Sequence, residues 1–300
     1  MILKKIKIGT RGSKLALCQA EIVKNAILKH FPEIKLEIIV ISTKGDKSQT
    51  NPLSSFGTKG IFTKEIEDCL ADKTIDLAVH SLKDMPVELP EELEIGAVLP
   101  REDPHDALIS RSGLTLEELP HGTKIATGSL RRSKQLAIYR SDFEFVDIRG
   151  NIDTRLCKID EGYADAVVLA SAGLIRMGFE DKITQTIDYN IMLPSAGQGA
   201  IAVETRDSEF KDILKKIDCI KTFVEITAER SFLKAMGGGC NRPVGCLACF
   251  NEEHNIIEME GGIFEDKSIR HKLNGLPLLA EELGIKLAEY IKTAHDILNR

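Results

Sequence analysis

The chain has 300 residues, a formal net charge of -6 and a hydrophobic fraction of 43%. The length allows two or three domains with separate cores, and the acidic balance argues against a nucleic-acid partner. No apolar run approaches the roughly 18 residues of a membrane span. The chain has seven cysteines, an odd number, and its N-terminus resembles a first strand more than a signal peptide. Both observations favour a reduced, cytoplasmic protein.

The first predicted elements are a strand, a turn and a helix. Lys5 to Ile8 alternates as a strand, and Ser13 is a suitable N-cap for the helix that follows the turn. A second strand covers Leu36 to Ile41. The polar stretch 43–60 predicts a long loop of the kind that forms lids or disordered segments, and a helix over 63–71 follows.

A turn rich in polar residues comes after the next strand. Ile75 to Val79 is a short apolar run typical of a buried strand, and residues 80–86 read His-Ser-Leu-Lys-Asp-Met-Pro. Pro86 prevents a helix from continuing through this turn. Open α/β sheets bind ligands beyond the carboxyl ends of their strands. Asp84 is therefore a candidate for chemistry, and an exposed carboxylate beside a solvated lysine is the alternative.

The pattern of the first hundred residues then recurs. The predicted strand Lys124 to Thr127 leads into a turn at 128–134, just as the first strand leads into a turn at 9–14. Both turns contain small residues, arginine and a Ser-Lys pair that opens a helix. A second match, from a glycine to a strand aspartate, spans 60–76 and 150–165. Two matches in the same order predict two similar α/β lobes, and chance similarity between βα units is the alternative.

Arginines recur at the turns of both predicted lobes. An arginine in the first turn of a helix is unfavourable for the helix dipole, whereas the same N-terminus is a ready anion site. Guanidinium groups match carboxylates in bidentate fashion, so the recurrence suggests an acidic ligand, although any one of them could belong to a solvated face. The set is Arg11, Arg131, Arg132, Arg149, Arg155 and Arg176.

The last third of the chain begins at the turn 194–199. Ala200 to Glu204 reads as a buried strand that returns to the first lobe, and a helix from Glu225 to Ala235 leads to a glycine-rich loop. A strand from Ile256 to Ile263 and a helix from Leu278 to Leu298 follow. We expect lobe 1 over 1–99 and 200–218, lobe 2 over 100–199, and a C-terminal domain over 219–300.

Six stretches in the same order resemble the porphobilinogen deaminase (hydroxymethylbilane synthase) family: Gly9–Leu17, His80–Pro86, Gly128–Gln135, Arg149–Leu156, Pro194–Glu204 and Gly238–Gly245. The resemblance implies an α/β fold of two periplasmic-binding-protein-like (type II) lobes plus a small α/β C-terminal domain. It implies a transferase that joins four porphobilinogen molecules head to tail, releases ammonia and yields hydroxymethylbilane for tetrapyrrole (haem) biosynthesis. It also implies a covalently bound dipyrromethane cofactor and, since the family is usually monomeric, a monomer.

The resemblance also implies roles for individual residues. Cys240, on its glycine-flanked loop, is the implied thioether attachment point of the dipyrromethane, and Asp84 is the implied catalytic carboxylate, which stabilises the cationic azafulvene left by ammonia and steers proton transfers. The neighbouring Lys83 favours the ionised form of Asp84. The other implied cofactor-binding residues are Lys83, Ser129, Arg131, Arg132, Ser13 and Ser81. The implied substrate-binding residues are Arg11, Arg149, Arg155, Arg176, Gln198 and Lys59.

Two alternatives remain open. Cys246 and Cys249 form a C-x-x-C pair near Cys240, but a structural zinc site usually needs a second pair, so we expect no metal and regard both as packing residues. A pure solute-binding module shares the two-lobe architecture, but a receptor would usually carry a signal peptide, and it has no use for a cysteine on a glycine loop. We therefore expect a small-molecule substrate, porphobilinogen, and neither a nucleic-acid nor a membrane partner.

Overall fold

The computed structural model describes residues 5–43, 63–206, 210–238 and 242–298. The chain divides into two compact units, one formed by Met1–Glu102 with Ala200–Phe223 and the other by Asp103–Gly199 with Val224–Arg300. Most of the predicted loop at 43–60, with Lys59, lies outside the described residues, as does Cys240. The division into three domains stays a prediction.

Strands and helices alternate through most of the described chain. The strands are β1 (Lys5–Arg11), β2 (Lys35–Ile41), β3 (Leu77–Ser81), β4 (Glu94–Val98), β5 (Asp106–Ser110), β6 (Lys124–Ala126), β7 (Glu144–Val146), β8 (Ala166–Ala170), β9 (Gln185–Ile187), β10 (Ile201–Thr205), β11 (Val244–Asn251), β12 (Ile256–Phe264) and β13 (Ser268–Gly275). The helices are α1 (Lys14–His30), α2 (Lys64–Ala71), α3 (Leu130–Tyr139), α4 (Ile152–Asp160), α5 (Ser171–Arg176), α6 (Lys211–Ile217), α7 (Ile220–Ala235) and α8 (Ala280–Leu298). None of these helices is both long enough and apolar enough to cross a membrane.

The first unit contains a five-stranded sheet in the order β2-β1-β3-β10-β4. Strand β1 is parallel to β2 and β3, whereas β10 is antiparallel to β3 and β4. Apolar side chains cover both faces: Val23, Ile27 and Phe210 belong to the core on one face, and Ile66 and Leu70 of α2 to the core on the other. Because β10 follows the strands of the second sheet in the chain, the polypeptide returns to the first sheet after Gly199.

The predicted strand at Ile75–Val79 begins two residues later than expected. The carboxylate of Asp76 accepts a hydrogen bond from the Lys7 N–H at 2.8 Å, and regular pairing with β1 starts at Leu77. Ile75 is nevertheless fully buried, in the core beneath α2. The apolar run therefore marks burial correctly, but the aspartate inside it delays the start of the ladder.

The second unit contains a sheet with the same pattern, in the order β7-β6-β8-β5-β9. Strand β6 is parallel to β7 and β8, and β5 is antiparallel to β8 and β9. A serine caps the first helix of each lobe, Ser13 on α1 and Ser129 on α3. The second helix begins earlier than the Ser133-Lys134 pair that was predicted to open it, because Ser129 already accepts a hydrogen bond from the Arg132 N–H. The like order of the two sheets confirms the prediction of two similar α/β lobes.

The small C-terminal α/β part is an antiparallel sheet in the order β11-β12-β13. Its core includes Phe232 of α7, Met259 and Ile263 of β12, and Leu287 and Ile291 of α8, all almost fully buried. Two amphipathic helices therefore cover one face of a three-stranded sheet, which is the minimum arrangement that buries a continuous core.

Candidate active site

The Asp84 turn lies at the end of a central strand of the first sheet. A single 3-10 turn, Leu82–Asp84, follows β3 directly. The Leu82 N–H donates to the carbonyl of Ala200 at 3.0 Å, and the Met85 N–H closes the turn on the carbonyl of Leu82 at 3.1 Å. Leu82 and Met85 are buried while Asp84 is exposed. The turn thus presents the carboxylate to the solvent from a backbone anchored on both sides.

A pocket of the first unit contains the Asp84 side chain. Four of the residues predicted for the site line it together: Arg11, Ser13, Ser81 and Asp84. The first two come from the end of β1 and the N-cap of α1, and the last two from the end of β3 and its turn. Two neighbouring parallel strands therefore bring a guanidinium, a helix N-terminus and a carboxylate to one place.

The same pocket has polar lining to which the sequence analysis assigned no role, notably Gln19, His80 and Thr63. The amide of Gln19 contacts the Ser81 hydroxyl through both of its ends, with Nε2 at 2.8 Å and Oε1 at 3.0 Å from Oγ. Gln19 is buried on the second turn of α1. It holds the serine beside Asp84, and the only sequence signal for it is a polar residue on the buried face of a helix.

His80 belongs to a buried acidic cluster. Its Nε2 lies 2.9 Å from Oε2 of Glu204 on β10, and the side chains are 4% and 0% exposed. Burial raises the pKa of the nearby Glu67 carboxyl, and the charge of Glu204 adds to that rise. Two carboxyl groups and one imidazole therefore share a low-dielectric site next to the pocket.

The second unit contains a buried ion network built on α3. One carboxylate, that of Asp106 on β5, accepts from Nη1 of Arg131 at 2.7 Å and from Nε and Nη2 of Arg132 at 2.9 and 2.7 Å. Asp106 is 1% exposed and each arginine 7%. Burial alone would raise the pKa of the Asp106 carboxyl, but the two guanidiniums outweigh it and hold that pKa well below its usual range.

The turn before α3 matches the turn before α1. The Ser129 Oγ lies 3.5 Å from the Arg132 N–H and caps the helix. Gly128 precedes it where a Cβ atom would lie 2.8 Å from Oδ1 of Asp147, so a larger residue would displace the turn or that carboxylate. The small residues of the repeat are therefore required by the close approach of the chain at the N-terminus of α3.

The three remaining predicted arginines each contact an element end of the second unit. The Nε of Arg149 donates to Asp147 at 2.9 Å, the Nε of Arg155 to the carbonyl of Gly150 at 2.8 Å, and Nη2 of Arg176 to the carbonyl of Gly199 at 2.6 Å. All three are partly exposed. A guanidinium has five N–H donors, so these contacts orient each group without using all of its donors.

Gln198 lies in the interior of the second unit. It is fully buried, and its Nε2 donates to Oδ1 of Asp106 at 3.0 Å and to the carbonyls of Pro104 and His105 at 2.8 and 3.2 Å. The structure brings it to the carboxylate that holds Arg131 and Arg132. Its role as a substrate-binding residue stays a prediction.

The cysteines of the C-x-x-C pair point in different directions. Cys246 is buried on β11 with its Sγ 3.9 Å from the carbonyl of Glu229, whereas Cys249 is exposed. Within the described residues, no group of three or more histidine, cysteine, aspartate or glutamate side chains could hold a metal ion.

These features define a class of protein: a two-lobed α/β protein with a small C-terminal domain, an exposed carboxylate at a strand exit and arginines grouped around helix N-termini and strand ends. Comparison with known proteins narrows the class. Residues 6–213 match the family model described as porphobilinogen deaminase, dipyromethane cofactor binding domain, and residues 223–293 match that of the porphobilinogen deaminase C-terminal domain.

Named relatives match over nearly the whole chain. The porphobilinogen deaminase of Syntrophus aciditrophicus (strain SB) is 47% identical over 290 residues, which is 95% of this chain and 94% of the relative. That of Brevibacillus brevis (strain 47) is 46% identical over 300 residues, with 98% and 96% covered. The chain belongs to the porphobilinogen deaminase family. These matches confirm the resemblance to this family. They also confirm the synthesis of hydroxymethylbilane from porphobilinogen in tetrapyrrole biosynthesis and the assignment as a transferase.

Solved structures with similar backbones include two periplasmic proteins. A sulfonate-binding protein, SsuA, from Methylobacillus flagellatus KT is 16% identical with a TM-score of 0.42, and 75% of this chain and 68% of that one are covered. A TRAP solute binding protein from Desulfovibrio salexigens is 9% identical with a TM-score of 0.43, and 72% of each chain is covered.

Proposed function

We propose that the pocket at the Asp84 turn is the centre at which this enzyme activates porphobilinogen. The supporting observation is that Asp84, Arg11, Ser13 and Ser81 line one pocket at the ends of two parallel strands. A guanidinium beside a helix N-terminus binds a substrate carboxylate. The Asp84 carboxylate of the same pocket can then face the part of the substrate that becomes positive.

Asp84 has the chemical role in this proposal. Loss of the aminomethyl nitrogen as ammonia leaves positive charge on the substrate ring, and an ionised carboxylate near the ring N–H stabilises that charge. The same carboxylate can guide the proton that the attacking pyrrole carbon must lose. The exposed position of Asp84 on an anchored turn suits both tasks, because the carboxylate can contact substrate without moving the backbone.

The residues present fit a dipyrromethane cofactor, which the matched family model also indicates. Each pyrrole ring of such a group carries two carboxylates, so its binding site should contain more cations than the protein itself neutralises. The buried network of the second unit meets this requirement, since Asp106 neutralises only one of the two guanidiniums that it contacts. When bound, the group supplies the free pyrrole position to which substrate units are joined.

We assign the individual contacts as follows. Lys83, Ser13, Ser81, Ser129, Arg131 and Arg132 hold the carboxylates of the cofactor. Arg11, Arg149, Arg155 and Arg176 bind those of the substrate units, with Lys59 as a further cation on the polar loop. Gln198 supports this set through Asp106. Cys240 is the attachment point through a thioether, because a soft nucleophile on a glycine-rich loop suits bonding to an electrophilic methylene carbon.

The setting of the enzyme follows from its chemistry and composition. We propose a cytoplasmic monomer, with porphobilinogen as its small-molecule substrate and without a nucleic-acid or membrane partner. The odd cysteine number and the acidic net charge support this proposal. We also propose three domains: 1–99 with 200–218, 100–199, and 219–300. The separate family matches at 6–213 and 223–293 support a boundary near the start of the third domain.

Intact mass spectrometry tests the proposal. Protein produced in cells that make porphobilinogen should exceed its sequence mass by two pyrrole units, and Cys240→Ser should return to the bare mass and lose hydroxymethylbilane formation. Cys249→Ser, which changes an exposed cysteine of the same region, should retain both the added mass and the activity. A parent protein at the bare sequence mass would sink the cofactor assignment, and an added mass that persists in Cys240→Ser would move the attachment to another residue.

A further inference from the structure

One short segment, 193–199, collects hydrogen bonds from the polar groups of the second unit. Nη1 of Arg131 donates to the carbonyl of Leu193 at 2.6 Å, and Nη2 of Arg176 donates to the carbonyl of Gly199 at 2.6 Å. Gln198, within the segment, donates to Asp106. The position of this segment therefore affects the positions of the Arg131 and Arg176 guanidiniums and of the Asp106 carboxylate.

The segment is held in turn by the C-terminal helix and sheet. Glu229 is fully buried on α7, and its Oε2 accepts from the Gly197 N–H at 2.7 Å while its Oε1 accepts from the Ala248 N–H of β11 at 2.9 Å. The Cys246 N–H of the same strand donates to the carbonyl of Pro194 at 2.9 Å. A single carboxylate thus joins the helix, the edge strand β11 and the segment.

We propose that Glu229 is a positioning residue for the anion-binding arginines. Its carboxylate fixes Gly197, the neighbouring Gln198 fixes Asp106, and Asp106 sets the direction of the Arg131 and Arg132 guanidiniums. The last step of this chain rests on the proposed function, in which those guanidiniums bind the acid groups of pyrrole rings. The helix that carries Glu229 ends at Ala235, a few positions before Cys240 in the sequence.

The chemistry of the contact makes the carboxylate specific. Gly197 and Ala248 both contact Glu229 through backbone N–H donors, and an ionised carboxylate offers acceptors at both oxygens with no donor. A glutamine of the same shape must direct an N–H group at one of the two amides. Glu229→Gln therefore keeps the size of the side chain while it breaks one of the two hydrogen bonds.

The helix also offers a matched control. Glu225 lies one turn earlier on α7, is 6% exposed, and accepts from the Phe250 N–H of β11 at 3.1 Å. It holds the same edge strand as Glu229, but its hydrogen bond with Phe250 does not involve the segment 193–199. Any effect that Glu225→Gln shares with Glu229→Gln reports the attachment of β11, and an effect of Glu229→Gln alone reports the position of the segment.

The experiment compares the two variants in the full-length protein by four measurements. They are hydrogen exchange of the segment 193–199, the Nε–H resonance of Arg132, the fraction of chains with the cofactor mass, and kcat and KM for porphobilinogen. For Glu229→Gln we expect about tenfold faster exchange at Gly197, a shifted Arg132 resonance, a smaller cofactor-bearing fraction, and a KM raised about tenfold with kcat within about twofold. For Glu225→Gln we expect parental values in all four.

Each outcome decides the proposal. A Glu229→Gln protein whose Arg132 resonance and KM equal those of Glu225→Gln overturns it. If Glu229→Gln does not fold, Gln198→Met takes its place with Glu229 intact: a shifted Arg132 resonance supports the link through Asp106, and an unchanged one overturns it. The exchange and resonance measurements need no cofactor. A parent protein without dipyrromethane would therefore contradict the proposed function while these two measurements still decide the role of Glu229.

Discussion

The Nε and Nη2 atoms of Arg132 donate to the same oxygen of Asp106, at 2.9 and 2.7 Å. The other oxygen accepts from Arg131 at 2.7 Å. All three side chains are nearly inaccessible to solvent, so their charges interact with little screening. One carboxylate orients two guanidiniums, so the three side chains together carry a net positive charge.

Removing the charge of Asp106 should destabilise the protein strongly. Asp106→Asn leaves two buried guanidiniums without their counter-charge, and breaking a buried pair in this way typically costs about 3–5 kcal/mol. The measurement is the free energy of unfolding in urea. The control is Asp266→Asn, since the Asp266 side chain is 99% exposed and lies 3.5 Å from Nζ of Lys134; it should change stability by less than about 1 kcal/mol. Equal losses in the two variants would show that burial of the network contributes nothing.

The contribution of Asp106 should also depend on pH with a defined sign. Its pKa is lowered in the folded state, so its stabilisation is fully present above the unfolded-state pKa, near 3.9, and is lost as the pH falls towards the folded-state value. The difference in unfolding free energy between the parent and Asp106→Asn should therefore be constant between about pH 7 and pH 5 and shrink below about pH 4. A difference that grows as the pH falls would contradict the assigned direction.

Local signals in the sequence predicted the parts of the site that depend on neighbouring residues. Ser13 was predicted to cap the first helix, and it is the N-cap of α1. The Ser133-Lys134 pair was predicted to open the equivalent helix, but α3 already begins at Leu130 with Ser129 as its N-cap. The Asp84 turn was predicted from an apolar run and a proline, and it lies at the end of β3. A strand, a cap and a turn are each determined by a few adjacent residues, so such features can be inferred without the fold.

Contacts between distant parts of the chain could not be predicted in this way. Glu204 pairs with His80 across 124 positions and Asp106 with Arg132 across 26, and no periodicity connects such residues. The arginines of α3 were interpreted as groups facing a ligand, but their burial was unknown because charge alone does not report burial. Only the strand order, which places β5 beside β8 and β10 beside β3, brings these partners together.

Glu67 should respond to pH in the direction opposite to Asp106. Burial raises its pKa, so the folded state binds its proton more tightly than the unfolded state, and stability falls as the pH rises through the unfolded and then the folded value. Glu67→Gln removes that loss. The free energy of unfolding of Glu67→Gln minus that of the parent should therefore be larger at pH 8 than at pH 4. Urea unfolding at both pH values measures this difference.

Glu118 provides a control of opposite sign. Hydrogen bonds from the Thr115 N–H and hydroxyl, both at 2.9 Å, lower the pKa of this exposed carboxyl. The free energy of unfolding of Glu118→Gln minus that of the parent should be smaller at pH 8 than at pH 4. If Glu67→Gln and Glu118→Gln shift in the same direction, the burial of Glu67 does not control its protonation.

Arg149 should matter for pyrrole chemistry more than for stability. Its side chain is 30% exposed and its Nε donates to Asp147, which is 59% exposed, so the pair contributes at most about 1 kcal/mol. Arg149→Leu should fold but accumulate protein without cofactor or with incomplete chains, as seen by intact mass after addition of porphobilinogen. Asp147→Asn removes the partner but keeps the guanidinium, and should make product. Parental turnover in Arg149→Leu would return this arginine to a solvated face.

Asp84→Asn should separate chemistry from folding. Leu82 and Met85 anchor the turn while the carboxylate is exposed, so the amide should keep the fold, the unfolding free energy within about 0.5 kcal/mol and the cofactor mass. Turnover should fall by about 10²-fold or more, because an amide cannot stabilise the positive charge of the substrate ring or guide its proton. Glu91→Gln, at an exposed carboxylate beyond the same turn, should keep parental turnover. The measurement is the initial rate of hydroxymethylbilane formation, with the cofactor content determined on the same sample. Near-parental turnover of Asp84→Asn at equal cofactor content would remove Asp84 from the mechanism.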